Sequence, residues 1–272
     1  MRKTSGVNDL HFHLDHMVIQ KNRTFNFHTH DDYEILYFLS GEVQYYIEDE
    51  SYSLVSGDVL VIPPGKLHRL VTVNEKIVYE RMVLTLSVDY CKRLLSRAPN
   101  SFVGRESKSY RISLGKNDGD FGRMMQSMLQ LTADEAGVLT RDATVTLLLL
   151  HLGKYMDAAL PADAGDNRRM GEIIRYINAN FTRDLSLEEI AERFFISKYH
   201  LLRQFKNYAC ATVHSYILTK RISLAKALLR EGLAPAEVCA QCGFSTYAGF
   251  YQNFVRQTGM SPSAFQKENH TH

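Results

Sequence analysis

The chain has 272 residues, 45% hydrophobic and 23% charged, with a net charge of +2. That composition is globular, too apolar and too weakly charged for a disordered chain, and the length suits two domains at roughly 150 residues each. The longest mainly apolar run, 145–150, falls far short of the roughly 20 residues that span a bilayer, and residues 1–16 lack a secretion signal's apolar core, so the sequence reads as cytoplasmic with no membrane partner.

The charge is unevenly spread. Residues 1–167 hold 18 Lys+Arg against 22 Asp+Glu, a balance of −4, and residues 168–272 hold 14 against 8, a balance of +6. A basic C-terminal third on a mildly acidic body points to a polyanion partner.

The first third reads as β. Runs at 33–39, 43–47, 52–55, 59–62 and 76–86 are aliphatic and aromatic, and Ser-Gly, Glu-Asp-Glu, Ser-Gly-Asp and Pro-Pro-Gly turns separate them. Short strands at this spacing predict a sandwich or barrel. His11, His13 and His16, near Asp9 and Asp15, read as an N-terminal strand or arm. The pattern changes near residue 88. A short helix is expected at 87–96, and helical apolar spacing follows at 121–131 and 140–156. The second of these carries Val145, Leu148, Leu149, Leu152 and Met156. Residues 157–167, rich in Ala, Asp and Pro, read as a linker where the charge changes.

The last third is helical. An amphipathic helix at 170–180 precedes Ser186, which with Glu189 makes a capping-box pattern. Ser197 caps the next helix. A long helix at about 212–230 ends near Gly232, and Pro235 suits the first turn of another. Gly243 sits where a sharp turn is needed. Cys239 and Cys242 form a C-x-x-C without a second pair at zinc spacing, so all four cysteines read as buried small side chains.

This region repeats. Ile190-Ala191 aligns with Val238-Cys239 and Ile196-Ser197 with Phe244-Ser245 at an offset of 48, while Phe205 aligns with Phe254 and Thr212 with Ser261 at 49. Each half reads helix, tight turn, helix: the first helix buttresses and the second presents its outer face to a major groove. The segments LSLEEIAERFFISKYHLLRQFK, KRISLAKALL and CGFSTYAGFYQNFVRQTGMSPSAFQK resemble the AraC/XylS family of transcription regulators over about 170–267. The resemblance implies two recognition helices in adjacent major grooves of double-stranded DNA, a homodimer, contact with RNA polymerase, an activator and a small-molecule effector.

In the first unit Leu201 and Phe205 point inward, leaving Tyr199, Leu202, Arg203 and Lys206 outside. By resemblance Tyr199, Leu202 and Arg203 stand where the family reads bases. A guanidinium at Arg203 suits guanine O6 and N7, while Lys198 and Lys206 suit phosphates. In the second unit Phe250 and Phe254 point inward and Tyr247, Ala248, Tyr251 and Gln252 outward, with no cation before Arg256. Tyrosine hydroxyls suit phosphates and Gln252 suits adenine. Two departures stand out. Cys210 occupies the place of Gly259, and Ala234 replaces a capping Ser or Thr.

In the β region His28, His30, Glu34 and Gly41, then Gly57, Pro63, Gly65 and His68, resemble the two cupin motifs over about 22–86, with Asn22 for a leading Gly and Thr72 for a closing Asn. The resemblance implies a jelly-roll barrel. His28, His30, Glu34 and His68 would line an effector pocket or hold a divalent metal; no cofactor is expected. Tyr45, Tyr46, Arg69, Tyr79, Glu80 and Arg81 are candidate pocket residues whose strand register is open.

The expected fold is therefore α+β: a cupin-like barrel at 1–115, a helical hairpin and candidate dimer contact at 116–157, a linker at 158–168 and an all-α double helix-turn-helix domain at 169–272. The leading reading is a ligand-gated regulator, with a sugar as the readiest effector, and not an enzyme. The alternative is a metal-dependent cupin enzyme or a metal-responsive regulator.

Overall fold

The computed structural model describes residues 2–9, 11–19, 27–74, 77–95, 109–114, 119–131, 134–155, 159 and 168–270. It divides into two compact units, Met1–Phe25 with His30–Gly165, and Asn26–Thr29 with Asp166–His272. The division falls inside the expected linker, which lies outside the described residues except for Ala159 and Arg168, as do Asn22 and Met156.

The first unit carries β1(Arg2–Asp9), β2(Phe12–Ile19), β3(Tyr33–Ser40), β4(Val43–Ile47), β5(Glu50–Ser53), β6(Asp58–Ile62), β7(His68–Thr72), β8(Tyr79–Leu86), α1(Val88–Leu95), β9(Tyr110–Ser113), α2(Gly119–Met128) and α3(Glu135–Tyr155). A six-stranded sheet runs β1-β2-β8-β3-β6-β9 and a three-stranded sheet runs β5-β4-β7. Every described strand pair is antiparallel.

The central strands of the large sheet are buried on both faces. Ile35, Val59, Val61, Met82 and Leu84 pack with Phe121, Met125, Val145, Leu148, Leu149 and Leu152 of α2 and α3. Their sequence neighbours Leu36, Phe38, Leu60, Ile62 and Val83 pack with Val43, Tyr45, Tyr52 and Leu70 of the small sheet. Successive side chains on a strand point to opposite faces, so a strand with two cores needs an unbroken apolar run. This explains the dense sequences at 33–39 and 59–62. The helices at 119–128 and 135–155 thus form the outer layer of the barrel's own core. Helix α3 also keeps an exposed apolar stripe, with Leu139, Leu147 and Leu150 at 64%, 61% and 42% exposure.

The strand expectations differ from the structure in places. Glu50 opens β5 rather than closing a turn, because it pairs with Ile47 across the hairpin. Strands β1, β7 and β9 were not foreseen. Strand β9 carries one fully buried side chain, Ile112, and is held by pairing with β6. Its Arg111 donates from Nε to the buried Asp58 at 2.9 Å, and Asp58 also accepts from the Val55 amide at 2.9 Å. Among the described residues no helix is long and apolar enough to cross a membrane.

From residue 168 on, the second unit is helical: α4(Arg168–Asn180), α5(Leu187–Arg193), α6(Lys198–Ala209), α7(Val213–Arg230), α8(Pro235–Gln241), α9(Tyr247–Thr258) and α10(Pro262–His270). Helix α7 starts in a full capping box between Thr212 and Ser215, and Gly232 follows its end at φ +93°. Its first half faces Phe205, whose ring meets Tyr216 edge-on at 5.5 Å. Its second half packs Ile222, Ala225 and Leu229 with Val238, Phe250, Phe254 and Phe265. One helix therefore supplies part of two cores.

Candidate nucleic-acid interface and barrel interior

Helices α5 and α6 form one helix-turn-helix and α8 and α9 another. Their turns match bond for bond. The Phe194 amide donates to the Ile190 carbonyl at 3.2 Å and that of Ile196 to Ala191 at 3.0 Å; 48 residues on, Cys242 donates to Val238 at 2.9 Å and Phe244 to Cys239 at 3.2 Å. The second helices also end alike. The Cys210 amide reaches Lys206 and that of Gly259 reaches Val255, both at 2.8 Å, with Cys210 and Gly259 in left-handed conformations at φ +49° and +78°. Ser197 caps α6 and Thr246 caps α9, each accepting from the third amide of its helix.

Inside the barrel the centre is a charge. The Glu34 carboxylate, almost fully buried, accepts from the Tyr45 hydroxyl at 3.1 Å; His30 Nε2 lies 3.1 Å and His68 Nε2 3.6 Å away. The other nitrogen of His30 lies 2.7 Å from the Asp32 carbonyl. Both ring nitrogens of His30 thus face acceptors, the arrangement of an imidazolium. Burial alone disfavours both charges. The hydrogen bond between them outweighs it, raising the His30 pKa and, with His68, holding Glu34 well below its ordinary range. His68 Nδ1 lies 2.9 Å from the Lys66 carbonyl, which fixes its ring. Tyr79 and Arg81 share the inner face of β8. The Arg81 guanidinium sits 5.6 Å from the Tyr79 ring centre, and burial pushes the Tyr79 hydroxyl up to about 12.

Residues 18–152 match the family described as the AraC-like ligand binding domain, and residues 163–268 match the helix-turn-helix domain family. The chain belongs to the AraC family of transcriptional regulators. The probable transcriptional regulator LumQ of Photobacterium leiognathi is 26% identical over 91% of this chain and 94% of its own. The transcriptional activator RhaR of Escherichia coli strain K12 is 24% identical over 89% of this chain and 87% of its own. The crystal structure of ToxT from Vibrio cholerae O395 aligns with 97% of this chain and 100% of its own at 15% identity and a TM-score of 0.42. This AraC-family regulator therefore has an N-terminal ligand-binding domain and a C-terminal helix-turn-helix DNA-binding domain.

The candidate DNA-contact residues lie on exposed helix faces. Tyr199, Leu202, Arg203 and Lys206 are exposed on α6 over buried Leu201 and Phe205, and Tyr247, Ala248, Tyr251, Gln252 and Arg256 are exposed on α9 over buried Phe250 and Phe254. Lys198 forms an ion pair with Glu188, and Arg256 donates to the Asn253 side chain at 2.5 Å. The capping box expected at Ser186 is half made. Ser186 accepts from the Glu189 amide, but the Glu189 carboxylate accepts from Tyr176 and Arg183 instead of turning back. Ala234 provides no side-chain cap for α8.

In the barrel His30, Glu34 and His68 come together. His28 is exposed and, with Phe27 and Thr29, groups with the second unit. Of the six candidate pocket residues, Tyr45 donates to Glu34, and the buried Tyr79 and Arg81 lie near enough to couple to its charge. Arg69 lies 4.8 Å over the Tyr46 ring, and Glu80 bonds His16. The N-terminal histidines have separate partners: Ser87 for His11, Asp15 for His13 and Glu80 for His16.

The Glu34–His30 pair sets a pH dependence. A raised His30 pKa adds stability below its ordinary value of 6.5 and loses it as pH rises through the folded value. A lowered Glu34 pKa adds stability above its ordinary 4.5 and loses it as pH falls through the folded value. The melting temperature of the first unit should thus peak between those two values and fall on both sides. Glu34→Gln should flatten both limbs in a melt-versus-pH series.

Proposed function

We propose that this chain is a cytoplasmic, sequence-specific transcription activator whose effector binds inside the barrel, and that it works by binding and not by catalysis. The observation that carries the DNA reading is the bond-for-bond match of two helix-turn-helix turns, each beside an exposed recognition face. Arg203 is the base reader of α6, with Tyr199 and Leu202 beside it. Lys206 and Arg256 contact phosphates, and Gln252, Tyr247, Ala248 and Tyr251 form the second face. Lys198 reaches a phosphate only by leaving Glu188.

The barrel interior suits a small polyhydroxylated molecule such as a sugar. Tyr45, Tyr79, Glu34, His30, His68 and Arg81 gather hydroxyl, carboxylate, imidazole and guanidinium groups beside aromatic rings, a mixture that orients hydroxyls. Of the candidate metal ligands, His30 is engaged on both sides. His30 turns both nitrogens to oxygen acceptors and so offers no lone pair. An effector changes DNA binding only if it prefers one of two protein arrangements. Activation further implies contact with RNA polymerase, as the activator name of the RhaR relative suggests.

The stripe of Leu139, Leu147 and Leu150 on α3 is the surface we assign to a homodimer. Leu147→Glu should halve the molecular mass seen by light scattering without lowering the melting temperature; a wild-type monomer would remove the assignment.

Two measurements test the rest. Arg203→Ala should weaken binding to duplexes selected from a random pool by about 1–3 kcal/mol and relax one base position. An equal loss on unselected DNA would make Arg203 a phosphate contact. In thermal melts of the full chain against sugars, sugar acids and divalent metals, a sugar at about 100 times its dissociation constant should stabilise the first unit by roughly 2.7 kcal/mol. Glu34→Gln should abolish that gain, and a response to metals alone would favour a metal-responsive regulator.

A further inference from the structure

Gly243 forms the turn of the second helix-turn-helix at φ +78°. A Cβ there would sit 2.1 Å from the Thr182 carbonyl oxygen and 2.5 Å from its carbon, both backbone atoms of the loop between α4 and α5. The turn of one DNA-reading unit is therefore pressed against the backbone of the loop that leads into the other. Arg221 of α7 grips the same loop on both sides of Thr182. Its Nε donates to the Phe181 carbonyl at 2.7 Å and its terminal nitrogen to the Arg183 carbonyl at 2.8 Å. The same guanidinium lies 5.7 Å from the ring centre of Phe244, next to Gly243. Lys220 adds a contact 5.8 Å above the Phe181 ring.

The first helix-turn-helix supplies an internal control. At the matching position, 48 residues earlier, stands Phe195, also left-handed at φ +51° and 92% exposed. The turn itself therefore accepts a large side chain. The left-handed turn strains any side chain at 243, and the contact with Thr182 adds a backbone clash that has no counterpart at the exposed Phe195 of the first turn. Beside this contact the two helix-turn-helix motifs flank a cleft lined by Leu185 and Leu187 on one side and by Phe244, Gly249 and Asn253 on the other. Helix α7 lines the cleft floor through Val213, Ile217, Leu218 and Arg221, and the joint closes one end of it.

We infer that Gly243, Thr182 and Arg221 form a locking joint that fixes the angle between α6 and α9, and that Gly243 and Arg221 are positioning residues for the spacing of the two DNA segments read. This rests on the DNA-binding reading of α6 and α9. The joint sets specificity without touching a base. It makes the protein intolerant of any change in the distance between the two segments.

The test has a DNA-free arm and a DNA arm, both on the full chain in a Cys210→Ser background. Spin labels at Asn207→Cys on α6 and Gln257→Cys on α9, both exposed positions, report the distance between the helices by pulsed electron paramagnetic resonance. The parent chain should give one narrow distribution. Gly243→Ala and, separately, Arg221→Gln should broaden it, with circular dichroism showing that the helices are kept. An unchanged distribution in folded variants overturns the joint, and Arg221→Gln decides if Gly243→Ala does not fold.

In the DNA arm, duplexes selected from a random pool receive one extra base pair between the contacted segments, a rotation of about 35°. The parent chain should lose about tenfold in affinity and Gly243→Ala no more than about threefold. Equal penalties overturn the role in spacing. A parent chain that binds no duplex while the variants still broaden the distribution overturns the DNA reading and leaves the joint standing.

Discussion

The second unit depends on α7 remaining one unbroken helix. At 1.5 Å per residue its 18 residues span about 27 Å, close to the roughly 34 Å between adjacent turns of a major groove. Each half of the helix is buried in a different core, so neither core can form with α7 bent or frayed. The capping box at Thr212 and the glycine after Arg230 close its ends, where backbone groups would otherwise lack partners. The reading helices then take their positions from packing, since Phe205 and Phe254 turn inward and force the opposite faces outward.

The barrel solves a different problem. An apolar interior that must recognise a polar molecule has to hold charges, and a buried charge is tolerated only when it is paired and hydrogen-bonded. Glu34 is the pivot. Two imidazoles and one phenol converge on its carboxylate, and the backbone carbonyls of Asp32 and Lys66 orient the imidazoles in turn. Strands β3, β4, β7 and β8 each bring polar side chains to this interior among apolar neighbours. A ligand entering here would exchange contacts with a preformed set of groups.

Much of this was legible in the sequence because it depends on neighbours along the chain. The offset of 48 between the two reading units, the caps at Ser197 and Thr212, and the inward phenylalanines are local patterns. So are the dense runs of β3 and β6, though periodicity alone could not say that both faces were covered. What stayed hidden was non-local. Strand β9 has too little apolar content to announce itself and exists by pairing with β6. Glu189 looked like half of a capping box, yet it bonds Arg183 and Tyr176, which the fold brings to it. The sequence marked Gly243 as a turn residue; that a backbone 61 positions earlier fills its missing side chain is visible only in three dimensions. The register of β4 and β8, which sends Tyr45 and Arg81 inward and Tyr46 and Glu80 elsewhere, was likewise undetermined until the strands were paired.

The two-faced large sheet has a consequence for how the chain can be divided. A fragment ending near residue 115 would hold every strand among the described residues, and would look like a finished barrel by strand count. It would also present Ile35, Val59, Val61, Met82 and Leu84 to water as one broad apolar surface, because α2 and α3 would be missing. Exposed sheet faces of that kind recruit one another. A piece of the ligand-binding half that keeps this face covered therefore extends through Tyr155. During synthesis the nascent barrel must likewise wait for α3 to leave the ribosome before its last face is shielded.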